Sequence, residues 1–150
     1  MVDGPGVART PTGISGFAEV SLGGLPMGRA TLVTGTTGTG KTLFALEFLA
    51  RGVQEFDESG VFVTFEESPE DLRRNAASFG FAIEQWEADG KWAFVDLSAT
   101  LIDEAVVVGS YDFGALIARV EHAVRHVGAT RVAIDSLGAV FIRFPEHAIV

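Results

Sequence analysis

Cysteine is absent from this sequence, which excludes a disulfide scaffold and any thiolate metal site. No apolar run reaches the roughly 18 residues that a membrane-spanning helix needs. There is no signal-peptide pattern, no repeat of solenoid period and no low-complexity tract. Positive charge is scarce. Eleven basic side chains face 20 acidic ones, for a formal net charge of −9. That balance argues against binding to a nucleic-acid backbone, which needs a positive surface. A cytoplasmic protein without membrane contact is the expectation. What is present is apolar: 47% of the 150 residues, enough for one core and too much for a disordered acidic tail. The two lysines are Lys41 and Lys91, and the first of them stands in the most informative stretch of the chain.

The opening residues, 1–12, are rich in Gly, Pro and Thr and read as a flexible tail. Strand and helix signals then alternate. Arg29 to Thr34 is a short apolar run ending in glycines, the pattern of a buried strand. Lys41 to Glu55 is a helix whose apolar residues cover much of its circumference, so it is expected to be largely buried. Gly60 to Glu66 is rich in β-branched and aromatic residues and predicts a second buried strand. Ser68-Pro69-Glu70-Asp71 is a helix start, with a capping hydroxyl, a proline at the first position and two acids at the positive end. That helix is expected to run to about Phe79, and a shorter one from Ile83 to Ala88. Trp92 to Asp96 and Arg131 to Asp135 predict two more strands. Between them a loop is expected over 97–111, then a helix from a cap at Asp112 to Val127, with Gly128 as the stop. Strands separated by helices imply an α/β fold with a mostly parallel sheet, because parallel neighbours need crossover connections.

Gly35-Thr36-Thr37-Gly38-Thr39-Gly40-Lys41-Thr42 fits the phosphate-loop pattern GxxxxGK[ST]. The glycines let backbone N–H groups approach phosphate oxygens, and the following helix points its positive end at the same anion. Lys41 brings a charge to the β/γ-phosphates, and the Thr42 hydroxyl is a Mg²⁺ ligand. The bland alternative, a glycine-rich turn with a chance lysine, lacks a reason for the strand before and the helix after. ATP with Mg²⁺ is the expected ligand pair.

Hydrolysis also needs a metal-holding acid and a group that orients water. In parallel α/β sheets such groups lie at the carboxyl ends of strands. Asp135 ends an apolar strand in the Walker B manner and is the candidate second metal ligand. Glu66 and Glu67 end another strand and are candidates for the general base, with either of the two open to the role. The bland readings are a turn-capping acid for Asp135 and a solvated pair before the Ser68 helix start. Asp96 is read as structural. His122 and His126 are spaced i,i+4 but no third ligand accompanies them, so a solvated helix face is expected, as it is for Arg73 and Arg74. Trp86, Trp92 and the twelve phenylalanines read as core.

At this point the residues resemble a family. Ser15-Gly16-Phe17 through Gly23-Gly24-Leu25-Pro26-Met27-Gly28, the phosphate loop, Phe62-Val63-Thr64-Phe65-Glu66-Glu67 and Ile134-Asp135-Ser136 look like the KaiC family of RecA-like ATPases. Glu55-Phe56-Asp57-Glu58 and the run from Arg74 to Gly80 add to the likeness, which covers about residues 13–145. The resemblance implies a RecA-like P-loop NTPase in which Lys41, Glu66 and Glu67 are catalytic and Asp135 is Walker B. It implies a cytoplasmic homo-oligomer, a hexamer with nucleotide at subunit interfaces, and clock partners KaiA and KaiB. The full-length family member is an ATPase and an autophosphorylating serine/threonine kinase. The family's sheet places two later strands beside the phosphate-loop strand. Residues 13–150 are therefore expected to be a partial domain, truncated before its last core strands and inactive alone. Two alternatives stay open: a module in which ATP serves assembly, and a RecA-like ATPase of signalling or recombination outside the clock.

Overall fold

The computed structural model describes residues 6–98 and 113–139. A three-stranded parallel sheet forms its centre, with β3 (Gly60–Thr64) between β4 (Trp92–Asp96) and β5 (Arg131–Asp135). The register aligns Thr64 with both Asp96 and Asp135, so three strands end on one level. A middle strand covered on both faces must be apolar throughout, and every residue of β3 is buried. Alternate side chains serve opposite faces. Phe62 packs with Leu46, Leu49, Leu72, Ile83 and Trp92, beneath α2 (Lys41–Phe56), α3 (Pro69–Ala77) and α4 (Ile83–Ala88). Val61, Val63 and Phe65 pack with Leu116, Ala123 and Val127 of α5 (Phe113–Val127) on the other face. The helices and strands expected from α2 onward are present, within a residue or two at their ends. The loop expected over 97–111 and the Asp112 cap lie, beyond Ser98, outside the described residues.

The start of α3 forms as its residues dictate. The Ser68 hydroxyl accepts from the Asp71 N–H at 3.2 Å, Pro69 takes the first turn, and Glu70 and Asp71 face the positive helix end. A cap of this kind contributes about 1 kcal/mol.

Three expectations are corrected. The strand expected over Arg29–Thr34 is not formed. The segment runs without a ladder partner, and Leu32 and Val33 are 68% and 43% exposed. A strand needs a neighbour for its backbone groups. The facing edge, β5, lies across a cleft of about 620 Å³ lined by Arg29–Val33, Phe44, Phe48 and the residues of β5. No described strand lies in that gap, and Val132 and Ile134 of β5 stay exposed along it. The tail expected through residue 12 is ordered from Arg9, because β1 (Arg9–Thr10) pairs antiparallel with β2 (Leu25–Pro26) and Thr12 is buried. A four-residue helix, α1 (Phe17–Val20), lies between these two strands. Arg73 does not lie on a solvated face. It donates to both Glu87 carboxylate oxygens, at 2.7 and 2.8 Å, and its guanidinium covers the Phe94 ring. Among the described phenylalanines, Phe79 is the exposed exception to the core reading.

Arg131 has no counterpart in the sequence expectations. Its side chain is 1% exposed. The guanidinium donates to Glu58, to the Phe48 carbonyl at 2.9 Å and to the Pro11 carbonyl at 2.8 Å, and it is sandwiched near the Phe48 and Phe56 rings. One buried fork thus joins β5, α2, the loop before β3 and the N-terminal ribbon. It fits because position 52 has no side chain: a Cβ there would meet Arg131 Cδ at 2.7 Å. Arg131→Met is expected to destabilise the protein by about 3 kcal/mol in a urea melt, since Glu58 and two carbonyls lose their donor. Arg131→Lys is expected to recover little of this, because an ammonium cannot reproduce the planar fork.

Candidate functional site

The phosphate loop links the unpaired 29–34 segment to α2. Gly38 and Gly40 hold φ of 83° and 85°, a conformation that L side chains resist, and Gly40 then serves as the cap of α2. The first turn of α2 carries no acid of its own at the positive helix end. Thr39 Oγ1 donates to the Thr36 carbonyl at 2.8 Å and closes the loop on itself. Lys41 Nζ lies inside the curve of the loop, donating to the carbonyls of Gly35 and Thr36 at 3.0 and 2.9 Å. Residues 31–40 are exposed.

Thr42 leaves the loop and reaches β5: its Oγ1 donates to Asp135 Oδ2 at 2.6 Å, across 93 residues of sequence. A hydroxyl and a carboxylate placed together make a donor set of hard oxygens, which suits Mg²⁺ with its retained waters. Among the described residues no group of three or more His, Cys, Asp or Glu is arranged as a metal centre. His122 and His126 stack ring on ring at 6.1 Å on α5 and gather no third ligand.

Both glutamates follow the end of β3, where the Phe65 N–H donates to the Asp135 carbonyl at 2.9 Å. They diverge. Glu66 turns toward β5, where Ser136 Oγ donates to its Oε1 at 2.8 Å. Glu67 turns toward α3, where Asn75 Nδ2 lies 3.4 Å from its Oε2, and its own carbonyl is held by Thr64 Oγ1 at 2.6 Å. Asp96, the third strand-end acid, accepts from the Ser98 N–H and hydroxyl and so serves its own turn. Lys41, Thr42, Asp135, Glu66 and Glu67 are thus gathered at one end of the sheet, and Asp96 is turned away. Ser136 was missed in the sequence, where a serine after an acid carries no signal of its own.

The acids repel one another. Partial burial, then the charges of Asp135, Asp71 and Glu66, hold the Glu67 carboxyl above its ordinary pKa. A raised carboxyl pKa means that its ionised form opposes folding. That opposition is present above the folded-state pKa and disappears below the unfolded-state value. Glu67→Gln is therefore expected to raise the melting temperature at neutral pH. The gain should shrink to nothing as the pH falls and the parent glutamate is protonated in both states.

Comparisons with known proteins agree with this geometry. The family model described as the KaiC ATPase matches residues 10–148. The circadian clock protein KaiC3 of a Synechocystis strain is 54% identical over 143 residues, which is 95% of this chain and 28% of that protein. The circadian clock oscillator protein KaiC of Parasynechococcus marenigrum is 51% identical over 92% of this chain and 27% of its own length. The chain thus spans little more than a quarter of the curated relatives it matches. A KaiC-like protein from the archaeon Pyrococcus horikoshii OT3, solved by crystallography, superposes with a TM-score of 0.78 at 40% identity, covering 92% of this chain and 57% of that one. The parallel sheet with its flanking helices is accordingly RecA-like, and the family model runs across the phosphate loop and the end of β5: the chain belongs to the KaiC ATPase family.

Proposed function

We propose that the chain binds ATP with Mg²⁺ at its phosphate loop and supplies the hydrolytic residues of an ATPase. The observation that carries this reading is the contact of Thr42 with Asp135, which brings the phosphate-loop helix and the Walker B strand to a single point. The loop's backbone and the bare N-terminus of α2 receive the phosphates. Lys41 exchanges its loop carbonyls for the β/γ-phosphate oxygens and stabilises the charge that develops there. Thr42 and Asp135 would hold Mg²⁺, which when bound neutralises the same oxygens. Glu66 or Glu67 accepts a hydrogen bond from water and aligns it with the γ-phosphorus as the bond to the bridging oxygen breaks.

For the longer protein the reading extends to a homo-oligomer with nucleotide between subunits, to a serine/threonine kinase activity elsewhere in the chain, and to KaiA and KaiB as partners. Its support is that the relatives carry the names of circadian clock proteins.

Lys41→Ala is expected to abolish nucleotide binding by calorimetry or fluorescent-nucleotide titration. Glu66→Gln combined with Glu67→Gln is expected to keep that binding and to lower phosphate release by at least about 100-fold, the scale of a lost general base. Turnover at the parent rate in the double variant would refute the role of the glutamates.

A further inference from the structure

Glu66 follows β3 and its side chain is exposed, so an unheld carboxylate there would sample many rotamers. What holds it is Ser136. The Ser136 Oγ accepts from the Ala139 N–H at 3.4 Å, an interaction that uses a lone pair and leaves the hydroxyl proton to be donated. That proton goes to Glu66 Oε1 at 2.8 Å. The other oxygen, Oε2, remains available to a water. Glu67 differs: its carboxylate leans on Asn75 of α3 and its carbonyl is fastened by Thr64.

We infer that Ser136 is a positioning residue which holds Glu66, rather than Glu67, as the water-orienting base. The arrangement has the form of an oriented base: one group accepts from the nucleophile and a third group fixes its direction. It also gives the site a register. Ser136 follows Asp135 directly, so one stretch of backbone sets the placement of the Walker B acid and, through the serine hydroxyl, of the base.

The inference rests on the reading of the site as hydrolytic, and steady-state ATP turnover with Mg²⁺, measured in the full-length protein that carries this segment, separates the two. The parent turns over if the hydrolytic reading holds; a parent that binds ATP and releases no phosphate overturns both. Ser136→Ala, with Ser136→Gly as an independent removal of the hydroxyl, is expected to lower kcat about tenfold, a fraction of a full base loss, and to leave KM for ATP unchanged. Ser136→Thr, which keeps the hydroxyl, is expected to restore kcat to within about twofold of the parent. Removal of the serine hydroxyl is expected to have no further effect in the Glu66→Gln background and its full effect in the Glu67→Gln background. A parent-like kcat in both hydroxyl-less variants overturns the inference while leaving the hydrolytic reading in place. Equal losses in the two glutamine backgrounds, or a rise in KM without a fall in kcat, overturn it as well.

Discussion

The buried Arg131 guanidinium is the interaction on which the rest of the structure depends. A charge removed from water must have its hydrogen-bonding capacity met. Here three separate parts of the chain meet it: Glu58 before β3, α2 through the Phe48 carbonyl and the rings of Phe48 and Phe56, and the Pro11 carbonyl at the N-terminal ribbon. Arg131 opens β5 and Asp135 closes it. With the lower end of β5 tied to the middle of α2, the upper end arrives beside the start of α2, where Thr42 meets Asp135. The meeting of Thr42 with Asp135 is therefore a consequence of packing at the opposite end of the same two elements.

At that upper end stability is given up. Glu66, Glu67 and Asp135 lie near one another, and Glu67 is held above its ordinary pKa by burial and by its acidic neighbours. Such convergence opposes folding and has no purpose in a passive core. It suits a site where a divalent cation and a polarised water are to be held close together. The two functions of the domain's ends are thus opposite in sign: the Arg131 end binds the elements together, and the acid end draws on that stability.

Much of the site was legible in the sequence. The phosphate loop, the acid at the end of β5 and the capped start of α3 each depend on residues adjacent in the chain, and the structure has them at the start of α2, the end of β5 and the start of α3. The strand expected over Arg29–Thr34 failed for a physical reason: apolar content nominates a strand, but only a neighbouring strand makes one, and a cleft lies where that neighbour would pair. Arg73 was misjudged and Arg131 passed over because a charged residue is read as solvated unless its partner is known, and Glu58 lies 73 residues from Arg131. A clue to the first was present. Gly52 sits on the buried side of α2 at a cost of roughly 1 kcal/mol, which signals a close approach by another group. Nothing comparable marked Ser136, whose partner lies 70 residues away.

The most direct test of the account is a double-mutant cycle on ATP affinity, measured across a Mg²⁺ titration with Thr42→Ala, Asp135→Asn and the pair. If the two residues hold one cation between them, the double variant binds no more weakly than the poorer single variant, with a coupling of about 1 kcal/mol or more that vanishes without Mg²⁺. Strictly additive losses, or a coupling indifferent to Mg²⁺, would contradict the claim that the phosphate loop and Asp135 form a single site.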